Sequence, residues 1–149
     1  MHPPREFADA LGELFLQVRV HFEQGFADLG VPSPCAKALR LIDGSLSMKE
    51  LGARLHCDGS FVTAIADALE ERGLARRETD PDDRRIKNLV LTRAGNKLRG
   101  RIQLLFDDFP GARRLDPEER EAFLRMLYKM MAKGVDAAAA TPERQTAAS

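Results

Sequence analysis

The stretch from residue 47 to residue 92, SMKELGARLHCDGSFVTAIADALEERGLARRETDPDDRRIKNLVLT, limits what this chain can fold into more than any other. Ser47 stands three residues before Glu50, the spacing of a reciprocal N-terminal capping box, and predicts a short helix ending near Leu55. Asp58 can accept the free backbone N–H groups of a second helix over about residues 59–72, and its charge suits that terminus. In that helix Phe61, Ile65 and Leu69 are expected as the buried stripe, with Val62 and Ala68 near its edge. Gly73 supplies the stop. A strand from Leu74 through Glu78 and a second over residues 86–91 follow, with a polar Asp–Pro turn, TDPDDRR, between them. Two capped helices alone occur in many cores. A charged hairpin directly after them predicts a winged helix-turn-helix, which puts its second helix in the DNA major groove and its hairpin against the backbone or minor groove.

The flanks read as helix. Phe7, Leu11, Leu14, Phe15, Val18, Phe22 and Phe26 recur at helical spacing over residues 7–28. Gly30, Pro32 and Pro34 break that helix, and Ser33 is expected to cap the next, which runs to about Ile42 and buries Ala38, Leu39 and Ile42. Thr92 caps a long helix carrying Leu98, Ile102, Leu105, Phe106 and Phe109, ended by Pro110 and Gly111. Asp116, Pro117 and Glu119 start a last helix with an apolar face of Phe123, Leu124, Leu127 and Met131, and Gly134 as terminator. The fold class expected is mainly α with a small β-hairpin wing. The expected layout is one domain over residues 1–149, with the winged module at 33–92, dimerisation helices at 5–30 and 93–134, and a disordered tail at 135–149. The two terminal stripes are too apolar for free surface and predict a two-fold homodimer.

Formal net charge is zero over 149 residues, so overall composition does not argue for DNA and any basic surface must be local. It is local between residues 72 and 101, where Arg72, Arg76, Arg77, Arg84, Arg85, Lys87, Arg93, Lys97, Arg99 and Arg101 face only Glu78, Asp80, Asp82 and Asp83. An ordinary solvated face would show the same excess without the flanking motif. No nucleophile–base pair, paired carboxylates or phosphate-binding glycine loop appears in a suitable setting, so the reading is not an enzyme and calls for no cofactor. His2, His21 and His56 are scattered and Cys35 and Cys57 lie far apart in sequence, so no metal site is expected. Two free thiols and the lack of a signal-like or membrane-spanning apolar run point to a cytoplasmic chain with no membrane partner.

In the second helix, Ser60, Thr63 and Ala64 face away from the expected core stripe, with Asp67 further along. Hydroxyls can donate to or accept from base edges, and alanine can pack against thymine methyls. Taken alone these are solvated helix residues. At the hairpin tip, Arg84 and Arg85 can reach a narrow, negative minor groove, and Asp82 or Asp83 can hold an arginine in place instead of touching DNA. The alternative is a surface ion-pair cluster of little energetic value.

With these residues in view, the chain resembles the MarR family of winged-helix transcription regulators over roughly residues 7–133. The wing DPDDRRIKNLVLTRAG, after LGARLHCDGSFVTAIADALEERGLARR, is the most specific part. The resemblance implies a dimer whose first and last helices interlock and whose two modules reach successive major grooves of palindromic double-stranded DNA. It implies a repressor released by a small aromatic or phenolic ligand. The family's wing aspartate and arginine fall on Asp83 and Arg85, and its often acidic position before the recognition helix on Asp58. Its ligand pocket, between the dimerisation helices and the winged module, implies contacts from Arg19, Phe22, Arg40 and Phe106, which periodicity assigns equally well to core. Peroxide-sensing members keep a reactive cysteine in the first helix, and residues 7–29 have none. A thiol-responsive regulator and a winged-helix dimer acting through protein contacts without DNA stand as alternatives.

Overall fold

The computed structural model describes residues 4–131. It divides after Phe109 into two compact units. In the first, α1 (Pro4–Asp28) and α2 (Ser33–Leu41) precede a short strand β1 (Ser45–Ser47), α3 (Met48–Leu55) and α4 (Gly59–Glu71). Strands β2 (Ala75–Thr79) and β3 (Lys87–Leu91) and helix α5 (Arg93–Asp107) complete it. The fold is mainly helical with a small antiparallel wing.

The core gathers around α2 and α4. Ala36, Ala38, Leu39, Ile42, Leu51, Leu69, Leu89 and Ile102 are fully enclosed. Polar ends are satisfied locally. Ser47 Oγ accepts the Glu50 N–H at 3.1 Å, while the Glu50 carboxylate pairs with Arg54. Asp58 caps α4 by accepting the Phe61 N–H at 2.9 Å, and Thr92 caps α5 through the Gly95 N–H at 3.1 Å. Helix α4 ends with Gly73 at φ 65°, a left-handed position that glycine takes without strain. There the Leu74 and Gly73 N–H groups return to Leu69 and Glu70 carbonyls.

Four expectations need correction. The first concerns α4: its buried residues are Val62, Ile65, Ala66 and Leu69, and Phe61 is 48% exposed. The stripe turns this way because α3 offers α4 a bare glycine face. A Cβ built on Gly52 would lie 3.0 Å from Val62 Cγ2, so valine occupies the space a side chain there would need. The second is β1, which pairs antiparallel with β3 in the sheet order β1-β3-β2 and sets buried Leu46 opposite Leu89. The third is Ser33, which lies inside α2; Pro32 is the N-cap and makes no side-chain cap bond. The fourth is Phe109: α5 ends at Asp107, and the ring stands beyond it, edge-on to His21 at 5.5 Å.

A close approach fixes where the wing joins α5. A Cβ on Gly95 would fall 1.9 Å from the Leu74 carbonyl oxygen, the atom that accepts the Thr92 N–H. Only glycine fits there.

Among the described residues, the second unit holds a 3-10 turn (Ala112–Arg114) and α6 (Pro117–Met131). Its capping box is reciprocal: Asp116 accepts the Glu119 N–H at 2.9 Å, and Glu119 accepts the Asp116 N–H at 3.0 Å. No α6 residue is buried, and Leu124, Met126, Tyr128, Met130 and Met131 are exposed. On α1, Phe7, Phe15, Leu16 and Val20 are exposed and only Gly25 and Phe26 are buried. His2, the expected terminator Gly134 and the tail lie outside the described residues. No helix among the described residues is long and apolar enough to cross a membrane.

Candidate nucleic-acid interface

Helix α4 presents its outer side with few polar groups unassigned. Ser60 Oγ donates to the Asp58 carboxylate at 2.6 Å, and Thr63 Oγ1 donates to the Gly59 carbonyl at 2.9 Å. Both hydroxyls therefore offer lone pairs outward, not protons. Ala64 is exposed beside them. The Ser60 hydroxyl and the Phe61 N–H hold the Asp58 carboxyl below the usual carboxylate range, so the cap is charged at neutral pH. Helix α4 carries no lysine, arginine or histidine, but it does carry Asp67, Glu70 and Glu71.

The wing is built on Asp80, whose place before Pro81 signals a turn but does not reveal its bond across the hairpin. Its carboxylate accepts the Asn88 side-chain amide at 2.9 Å and the backbone N–H groups of Asp82 at 2.9 Å and Asp83 at 3.1 Å. Those bonds, the Asn88 one foremost, lower its pKa. Asp83 takes one guanidinium edge of Arg85 side-on, from Nε and Nη2 at 3.1 Å each, and the Arg85 N–H at 3.0 Å. Its pKa is lowered too, chiefly by the Arg85 side chain. The Arg85 side chain remains 90% exposed, so it is aimed without being covered. Arg84 stands exposed beside it.

Arg77 joins helix to wing. From β2 it donates to Asp67 at 2.6 Å and the Thr63 carbonyl at 3.3 Å, pairs with the Glu70 carboxylate, and is itself only 26% exposed. Between the start of α3, α4 and the wing lies a hollow of about 540 Å³ lined by Ser47, Met48, Lys49, Thr63, Arg77, Arg85, Ile86 and Lys87. Nothing in the sequence marks Lys49, Arg77 and Lys87 as one group; only folding brings residues this far apart to one hollow.

Of the four residues suggested for a ligand, three meet. Phe22 and Phe106 stack at 4.1 Å between centroids, and the Arg40 guanidinium lies 3.8 Å over the Phe106 ring. Arg19 is exposed on α1 and takes no part in this stack. A second hollow of about 410 Å³, lined by Phe26, Pro32, Ser33 and Arg72 among others, includes none of the four. Cys35 is buried, and burial pushes its thiol pKa up despite Arg72, which disfavours the reactive thiolate. No group of three or more metal-binding side chains occurs among the described residues.

Helix, tight turn, second helix and a paired wing define a winged helix-turn-helix, a class of DNA-binding modules. The family model for the MarR family matches residues 37–87. The transcriptional regulator HosA of Escherichia coli O111:H- is 30% identical over 135 residues, covering 81% of this chain and 91% of its own. The HTH-type transcriptional regulator TtmR of Methylorubrum extorquens (strain PA1) is 30% identical over 123 residues, covering 83% of this chain but only 60% of TtmR. Among solved structures, the transcriptional repressor CouR, bound to a 23-mer DNA duplex, superposes with a TM-score of 0.71 at 26% identity, over 88% of this chain and 99% of that one. The chain belongs to the MarR family of winged-helix regulators, which are DNA-binding transcriptional regulators and not enzymes.

Proposed function

We propose that two copies of this chain bind a palindromic duplex as a repressor. Helix α4 enters the major groove with Ser60, Thr63 and Ala64 toward the bases, and Arg85, with Arg84 behind it, meets the minor groove. The observation that carries this reading is the Arg85 guanidinium, exposed yet held along its Nε–Nη2 edge by Asp83. An arginine fixed in this way loses little side-chain freedom on reaching DNA. Lys49 and Lys87 flank the hollow between α4 and the wing and supply positive charge where a phosphate backbone would pass. The exposed apolar residues of α1 and α6 support a two-fold dimer that covers them. Half-sites would then lie about 34–36 Å apart, one helical turn of B-DNA.

The test is selection of bound genomic fragments by the purified chain, with sedimentation at micromolar concentration. The expected result is a dimer that prefers a palindrome over random duplex. A monomer, or equal affinity for both DNAs, overturns the reading; a dimer indifferent to DNA favours a protein-contact role.

Release by a small aromatic or phenolic ligand would act through Arg40, whose guanidinium now covers the Phe106 ring and would turn from it to pair with an aromatic acid's carboxylate. Titrating 4-hydroxybenzoate into the complex should release DNA from the wild type and fail to do so with Arg40→Ala. No release from the wild type overturns this part alone.

A further inference from the structure

We propose that Phe61, with Ala64 beside it, reads the 5-methyl groups of thymine in the major groove and so sets part of the operator sequence. The inference rests on α4 being the recognition helix.

Phe61 is out of place for a core residue. On an α-helix it lies about 90° from the centre of the Val62, Ile65, Ala66 and Leu69 stripe. The ring is 48% exposed, in the first turn of α4. Side chains on a helix lean toward its N-terminus, and that end of a recognition helix goes deepest into the groove. Ala64 sits about 60° further round on the outer side, so the two make a small apolar step facing outward.

The remaining chemistry of α4 leaves the reading of thymine to that step. With no lysine or arginine, the helix lacks the fork that takes both acceptors of guanine. Ser60 and Thr63 have committed their hydroxyl protons to Asp58 and to the Gly59 carbonyl. While those bonds are kept, they can accept from adenine or cytosine amino groups and have no proton left for guanine or thymine oxygens. On the major-groove edge, the thymine methyl is the carbon feature that an exposed phenyl ring and an alanine can match. Positive charge comes instead from beside the helix, where Lys49, Arg85 and Lys87 line the hollow.

Deoxyuridine tests this, because it removes the methyl and nothing else. A duplex recovered by the wild-type chain from genomic fragments is remade with each thymine replaced in turn. Burying one methyl against carbon corresponds to about a fourfold change in Kd. The wild type should therefore lose about fourfold at one or two positions in each half-site and about fifteenfold when both half-sites are changed. Phe61→Ala should bind the thymine duplex more weakly, lose most of the deoxyuridine penalty at those positions, and keep the wild-type sedimentation and helix content. Phe61→Leu, which restores an apolar side chain, should recover part of the methyl preference.

Equal binding of thymine and deoxyuridine duplexes by the wild type overturns the proposal while leaving DNA binding intact. So does a Phe61→Ala protein that keeps the full deoxyuridine penalty. A change of assembly state in that variant overturns it as well, and reassigns the ring to a protein contact. If the wild type prefers no duplex over random DNA, the recognition-helix reading fails and this inference falls with it.

Discussion

Helix α4 and the wing stand side by side and solve opposite problems. The helix is acidic, offers acceptors and carbon, and has a buried face that fixes its phase. The wing is a short two-stranded ribbon whose tip depends on carboxylates to hold its shape. One surface suits base edges and the other a charged backbone or narrow groove. Affinity and specificity in this module should therefore separate by residue more cleanly than in a recognition helix carrying its own arginines.

The base shared by both regions offers the largest effect. Gly95→Ala forces a methyl onto the Leu74 carbonyl, at the junction that seats β2 and α5. It should destabilise the chain by about 3 kcal/mol, the upper end of ordinary overpacking costs. Urea unfolding would show this, and α4 and the wing should lose function together. A stable Gly95→Ala protein would mean that the junction yields.

Arg85→Ala should come next and should leave folding and dimer mass alone. Affinity should fall on specific and random duplexes alike, and the log–log salt slope should become shallower by about 0.9 for each phosphate that is no longer neutralised. Asp83→Ala should weaken binding as well, although it removes a negative charge. Tighter binding by Asp83→Ala would show that the aspartate merely opposes phosphate and does not aim Arg85.

Thr63→Ala acts on the other side of the comparison. It should cost about 1 kcal/mol, the lower end of what a good base contact discriminates, and only on the specific duplex. Equal losses on random DNA would move Thr63 into the structural group with Arg77.

The smallest effect in the working range is that of pH. Asp58, Asp80 and Asp83 have carboxyl pKa values lowered by hydrogen bonds in the fold. A depressed acid contributes stability above its unfolded pKa, about 3.9 for aspartate, and loses it as pH falls through the lower folded value. Stability from these groups should be flat between about pH 5 and 8 and should decline below about pH 4. Asp80→Asn should flatten part of that decline, as followed by urea midpoints.

Features set by neighbours in sequence were legible in it. The Ser47, Asp58, Thr92 and Asp116 caps and the Gly73 stop each use partners within a few residues. Aromatic and aliphatic periodicity marked α1, α2 and α5 for the same reason. Features set by distant partners were not legible. Phe61 and Val62 are both apolar and adjacent, and only the bare face of Gly52 decides which one turns inward. Strand β1 has one apolar residue and exists because β3 is there to pair with it. The meeting of Lys49, Arg77 and Lys87 likewise depends on tertiary structure. Asp80 is an intermediate case: an aspartate before proline signals a turn, but its bond to Asn88 crosses the hairpin.

The Arg77 bridge has a consequence for how the molecule can let go of DNA. One guanidinium ties β2 to two acidic side chains and a carbonyl of α4. Helix and wing are thus clamped at a fixed gauge, like two teeth cut on one gear. A signal that bent one tooth away from the other would have to break several charged bonds at once. Changing the spacing between the gears of two copies breaks none of them. A change of spacing between paired copies would leave the Arg77 bridge intact, so it would require no change of shape in either tooth.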